Sequence, residues 1–342
     1  MEADRSSLGF AGPIFPSCYC LAGTYSVPRI SDWLPHAVVF LYRTEEEAKR
    51  RARIGGSGFI VTQWIPGSAE IAGRPLAIPY AVSNRHVVFN GGASVISINR
   101  RDGAAPDVIA LEPTDWVEHP GGDDVVATCL FQLTQPDTHL TSHIGADNLL
   151  TREGAAKFQV GIGDDVFMIG RFVNHQGRAT NQPATRFGTI SMGIEDIWVN
   201  ELNRWQESYA VEMRSRTGFS GSPVAVYRTP TSVLTPDIPE NLSSFWGLLG
   251  INWGYILDED GENTWLNGVV PAWKILEVLD VPKLKKRQEE VVAEFHERFA
   301  PGGSTTAFAS DEQSSAEGES PTHKEDFKRL LNEAARKREP KD

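Results

Sequence analysis

Thr217-Gly218-Phe219-Ser220-Gly221-Ser222-Pro223-Val224 is the stretch that decides how the chain is read. Apolar and β-branched residues follow it, so it is a tight turn feeding a strand. A serine hydroxyl is a weak nucleophile until a base takes its proton. Acyl transfer also needs backbone N–H donors aimed at the oxyanion that forms on the substrate carbonyl. Gly218 and Gly221 suit both needs, because glycine reaches positive φ at no steric cost and lets a substrate approach the backbone.

This stretch resembles the trypsin-like (chymotrypsin-fold) serine peptidases, whose serine sits in Gly-x-Ser-Gly-Gly/Ser-Pro. Its Ser-Gly-Ser-Pro ending looks most like the bacterial glutamyl-endopeptidase and HtrA branches. The resemblance implies a histidine and an aspartate upstream, in the order His, Asp, Ser. Tyr80-Ala81-Val82-Ser83-Asn84-Arg85-His86-Val87-Val88 is similar to the family's histidine turn, with Ser-Asn-Arg where Thr-Ala-Ala is usual. Gly121-Gly122-Asp123-Asp124-Val125-Val126-Ala127 is similar to its aspartate turn, and Asp124, next to the apolar run, is preferred to Asp123. The three residues lie 38 and 96 positions apart, comparable to family spacing.

The resemblance spans about residues 36–281. Gly55-Gly56-Ser57-Gly58-Phe59-Ile60 looks like the strand that opens the first barrel, and residues 165–170 and 187–192 like strands of the second. Ile251-Asn252-Trp253-Gly254 looks like the strand that pairs with substrate, with Asn252 where serine is usual. Many short strands with Gly/Pro turns independently argue an all-β barrel or sandwich. The expected fold is therefore all-β, with two six-stranded antiparallel β-barrels of the chymotrypsin type, at about 36–135 and 150–270. Residues 1–35 form an N-terminal extension. After Pro282 come a helix, a flexible Gly/Ser/Glu-rich linker over 301–321, and an amphipathic helix with Phe327, Leu330 and Leu331 on one face. That last helix either docks on a partner protein or packs on its own barrel.

Net charge is −12 over 342 residues, which argues against a nucleic-acid partner. With 40% hydrophobic and 23% charged residues the composition is that of a soluble globular protein. Cys18, Cys20 and Cys129 supply no disulfide framework or zinc spacing, and read as free thiols. No run is long enough to cross a membrane, and no signal-peptide pattern opens the chain. The expected location is the cytoplasm, which departs from most trypsin-like peptidases. His139 and His143 at i, i+4 read as two exposed histidines rather than metal ligands.

The resemblance implies hydrolysis of a protein or peptide substrate without metal or organic cofactor. Ser220 attacks, His86 is the general base and acid, and Asp124 orients the imidazole. The N–H groups of Gly218 and Ser220 form the oxyanion hole, and Asn252, Trp253 and Gly254 pair with the substrate backbone. Phe219 stands where digestive relatives carry an aspartate that pairs with a freed N-terminus, so activation by that route is not expected. Arg214, six places before the serine, and Arg216 are expected in the pocket for the residue preceding the cut, which implies cleavage after Glu or Asp. The alternative for that pocket is a small apolar one, as in HtrA-like enzymes. A second reading of the whole chain is a pseudo-protease that only binds peptides or partners, and a third makes the tail the functional part.

Overall fold

The computed structural model describes residues 30–53, 55–65, 76–228, 245–258 and 260–299. Most of the N-terminal extension, Cys18, Cys20, the 66–75 loop, and the linker and helix expected beyond 300 lie outside them. The chain divides into two units, Met1–Val291 and Val292–Asp342.

The first unit opens with a sheet built from β1 (Val38–Tyr42), β2 (Ser57–Trp64), β3 (Ala77–Ser83), β4 (Val95–Ile98), β5 (Asp107–Ile109), β6 (Val117–Glu118), β7 (Val126–Cys129) and β8 (Ile144–Gly145). The strands run in the order β5-β4-β1-β2-β3-β7-β6, with β8 paired to β2 in parallel. Short helix α1 (Glu45–Lys49) is capped by the Thr44 side chain, which accepts from Glu47 N–H.

After helix α2 (Arg152–Lys157), β9 (Asp165–Gly170), β10 (Ala184–Val199), β11 (Arg204–Met213), β12 (Ser222–Arg228), β13 (Phe245–Leu257) and β14 (Asn263–Pro271) follow. These six close on themselves in the order β10-β11-β14-β13-β12-β9. Helices α3 (Trp273–Leu279) and α4 (Pro282–Phe299) end the described chain, and the boundary between the two units falls within α4. Two antiparallel β-sheets, one curled and open and one closed, give the all-β chymotrypsin-like architecture the sequence implied. The first sheet differs from a closed six-stranded barrel in keeping free edges at β5 and β6.

Period-2 alternation sorts each strand's faces. Val39, Leu41, Ile60, Ile96 and Val126 fill the first core. Val166, Met168, Val211, Val224, Val226 and Val269 fill the second. The opposite face of β1 is also buried, because Phe40 and Tyr42 meet the guanidinium of Arg171, 5.4 and 4.1 Å from their ring centroids. Arg171 follows β9 and is itself fully buried. It donates to Gln176 Oε1 and to the carbonyls of Leu41 and Ala52, so one side chain ties the two sheets together. Its burial holds the guanidinium pKa down, to about 10.

His139 and His143 do not share a helix. His139 is buried against Asp107, with its Nε2 3.2 Å from the carboxylate, while His143 is exposed. Cys129 forms no disulfide among the described residues. Among the described residues no helix is long and apolar enough to cross a membrane.

Candidate active site

Ser220 lies in the turn between β11 and β12, and that turn is fixed by its carbonyl groups. Ser57 Oγ donates to Gly218 O at 2.7 Å and Ser57 N–H to Ser220 O at 2.8 Å. Asn252 Nδ2 donates to Phe219 O at 3.0 Å, and Ser222 N–H reaches the same oxygen. In a trans peptide the N–H points away from the C=O. Holding Phe219 O inside the protein therefore turns the Ser220 N–H outward. Among the described residues the N–H groups of Gly218 and Ser220 have no hydrogen-bond acceptor, whereas Phe219 N–H and Gly221 N–H are used internally.

The glycines are required by geometry. Gly218 has φ +100°, and a Cβ there would lie 2.7 Å from Arg171 O. Gly221 has φ +85°, and its Cβ would lie 2.0 Å from Ser57 O. Any side chain at either position would be strained and would displace backbone.

His86 begins a π-helical turn, His86–Asn90, separated from the end of β3 by two residues. Asp124 lies two residues before the start of β7. His86 Nδ1 lies 2.7 Å from Asp124 Oδ2, and His86 N–H donates to Oδ1 at 2.9 Å. Asp124 is fully buried and accepts the Nδ1 proton, which leaves Nε2 as the basic nitrogen. Burial disfavours the imidazolium, but the Asp124 carboxylate, helped by Glu201, outweighs it and holds the His86 pKa above its usual value. Ser220 Oγ lines the same cleft as His86 and donates to Trp253 O at 3.3 Å. No hydrogen bond joins it to His86 among the described residues. Such contacts commonly close only when substrate is bound.

Asp123 serves a different purpose from its neighbour. Its carboxylate lies 2.9 Å from Lys274 Nζ on α3 and 3.7 Å from Arg204. The turn before it folds around buried His119. Gly121 N–H donates to His119 Nδ1 at 3.2 Å, so the other nitrogen carries its proton toward Glu277 Oε2 at 2.8 Å.

Several supporting residues were not singled out in the sequence. Asn84 Nδ2 donates to Asp124 O at 2.8 Å, and Asp124 N–H donates to Gln206 Oε1 at 2.6 Å. Gln206 contacts Ser208 Oγ, which also accepts Trp253 Nε1–H at 3.1 Å. Asn84, Gln206 and Ser208 are buried, and a buried polar side chain must be hydrogen-bonded. Glu201 comes from the tip of the β10–β11 hairpin. Asn90 Nδ2 donates to its carbonyl at 2.9 Å and fastens the hairpin to the turn that carries His86.

Trp253 and Gly254 line the cleft. The Trp253 ring fills the space where a Cβ on Gly268 would stand, 1.9 Å away. Asn252 is placed differently: its side chain is buried and supports the Phe219 carbonyl instead of facing the cleft. Arg214 is exposed and lies outside the cleft, in a neighbouring groove, whereas Arg216 lines both.

No family model matches the chain, and no curated protein does. Solved structures do. The protease domain of MamO from Magnetospirillum magneticum aligns over 72% of this chain and 96% of its own at 15% identity, with a TM-score of 0.42. An inactive form of Rv3671c from M. tuberculosis, carrying a serine-to-alanine change, aligns over 74% and 89% at 15% identity, with a TM-score of 0.40. Deg5 aligns over 71% and 87% at 14% identity, with a TM-score of 0.36. By the order of its own strands, one sheet curled and open and the other closed, the chain has an all-β, chymotrypsin-like architecture.

Proposed function

We propose that the protein is a serine endopeptidase. The observation that carries this reading is the conjunction of a buried His86–Asp124 pair with a serine, in the same cleft, whose turn presents two unused N–H groups. In this reading Ser220 Oγ attacks the scissile carbonyl while His86 Nε2 takes its proton. The developing oxyanion is met by the N–H groups of Gly218 and Ser220. His86 then protonates the leaving amine, and water hydrolyses the acyl-enzyme by the same route. Asp124 stabilises the imidazolium in each half. The residues that act are all side chains and amides of this chain, and the substrate is a protein or peptide lying along Trp253 and Gly254.

A second reading is favoured by the Ser220–Trp253 O contact: a barrel that binds peptides with its serine held away from the base. Turnover separates the two. Ser220→Ala should lower kcat on a quenched-fluorescence peptide library by about 10⁴-fold or more. Equal turnover by wild type and variant, or none by either, would refute the peptidase reading.

A further inference from the structure

The groove beside the cleft is lined by Arg186, Arg214 and Arg216, with exposed Phe187 and Trp265 on its rim. Among the described residues Glu212 is the one carboxylate lining it. None of the three guanidiniums has a hydrogen-bond or ion-pair partner among the described residues. Arg186 is half-buried, and its Nε is fully shielded and without an acceptor. Its guanidinium lies over the rings of Phe172 and Phe219, at 5.3 and 5.8 Å, which fixes its position without neutralising its charge. Elsewhere the chain treats arginines differently. Arg100, Arg152 and Arg228 each pair with a carboxylate, and Arg171 satisfies its donors on carbonyls and an amide. Three unpaired guanidiniums side by side in a chain of net charge −12 are a concentration of unused positive charge.

We infer that this groove is an exosite for an acidic segment of the substrate, a reading that rests on the proposed peptidase activity. Guanidinium forks bind carboxylates by paired, charge-assisted hydrogen bonds. A groove lined by one sign of charge also concentrates ligands of the other. Arg216 lines both cleft and groove, so the two adjoin at its side chain. The carboxylates read here are therefore those of Asp and Glu residues flanking the cut. Arg214, which lies outside the cleft, would read those flanking residues and not the side chain at the cut.

The test uses the full chain and peptides identical around the cut, extended on either side by four Glu or four Gln residues. At low salt the Glu extension on one side should raise kcat/KM about tenfold, through KM, and the gain should shrink as salt is added. Arg214→Glu should abolish the gain while leaving cleavage of the Gln peptides unchanged; Arg214→Ala should reduce it. Anisotropy of a labelled Glu-extended peptide gives the same comparison without turnover, so a failed peptidase reading and a failed exosite are told apart. Equal kcat/KM for Glu and Gln peptides on both sides, or acidic-peptide binding that is unchanged in Arg214→Glu, would overturn the inference.

Discussion

Asn252 holds the Phe219 carbonyl at 3.0 Å, and through that peptide it sets the direction of the Ser220 N–H. The sequence resemblance paired Asn252 with the substrate backbone; its side chain instead supports the Phe219 carbonyl, and in the proposed mechanism that makes it a positioning residue one peptide removed from the oxyanion. Asn252→Ala should lower kcat by about 10–100-fold, less than or equal to loss of an oxyanion donor itself. KM and the thermal midpoint should change little. A rise in KM at constant kcat would instead place the side chain in ground-state substrate binding.

The two adjacent aspartates should separate cleanly. Asp124→Asn removes the acceptor that fixes the His86 tautomer and should lower kcat by about 10⁴-fold. Asp123→Asn weakens the contact with Lys274 and should cost roughly 1–3 kcal/mol of stability, with kcat retained. Steady-state kinetics beside urea denaturation of both variants makes the comparison. The reverse pattern would move the third member of the triad by one residue.

The acid limb of activity follows from the raised His86 pKa. The base must be neutral to accept the serine proton, so activity rises as pH passes upward through its pKa. Because the carboxylates of Asp124 and Glu201 hold that pKa up, the limb of kcat/KM should lie above the usual histidine value near 6.5. Glu201→Gln removes one of the two charges and should move the limb to lower pH. A limb unmoved by this change would show that Glu201 does not act on His86.

How far the sequence revealed this site depends on the kind of signal each residue leaves. Ser220, His86 and Asp124 stood out because each sits in a local turn with recognisable neighbours. The β9 strand was read over the same residues, 165–170, because its apolar run is short and bounded. Residues that matter through long-range contacts left no such mark. Ser57, 163 positions from Ser220, is an ordinary strand serine until the two sheets meet. Glu201 reads as a turn residue, and only the 16-residue length of β10 carries it back over His86. Arg214 was assigned by counting back from the serine, and counting along a chain does not tell which wall of a turn a side chain takes.

Arg171 should be the most sensitive position outside the cleft. Arg171→Met keeps the bulk but leaves Gln176 Oε1 and the carbonyls of Leu41 and Ala52 short of a donor. At about 1–3 kcal/mol for each buried acceptor left unsatisfied, the loss should be about 3 kcal/mol or more. Urea unfolding followed by fluorescence measures it. A loss below about 1 kcal/mol would show that the sheets are joined chiefly by their apolar faces.

Labelling with a fluorophosphonate probe tests the central claim most directly, because it reports an activated serine without needing the substrate. The account predicts one adduct on wild type, mapped by mass spectrometry to Ser220, and none on Ser220→Ala or on His86→Ala at matched protein and time. An adduct of equal yield on Ser220→Ala, or an unlabelled wild type under conditions where a known serine peptidase is fully labelled, would contradict it.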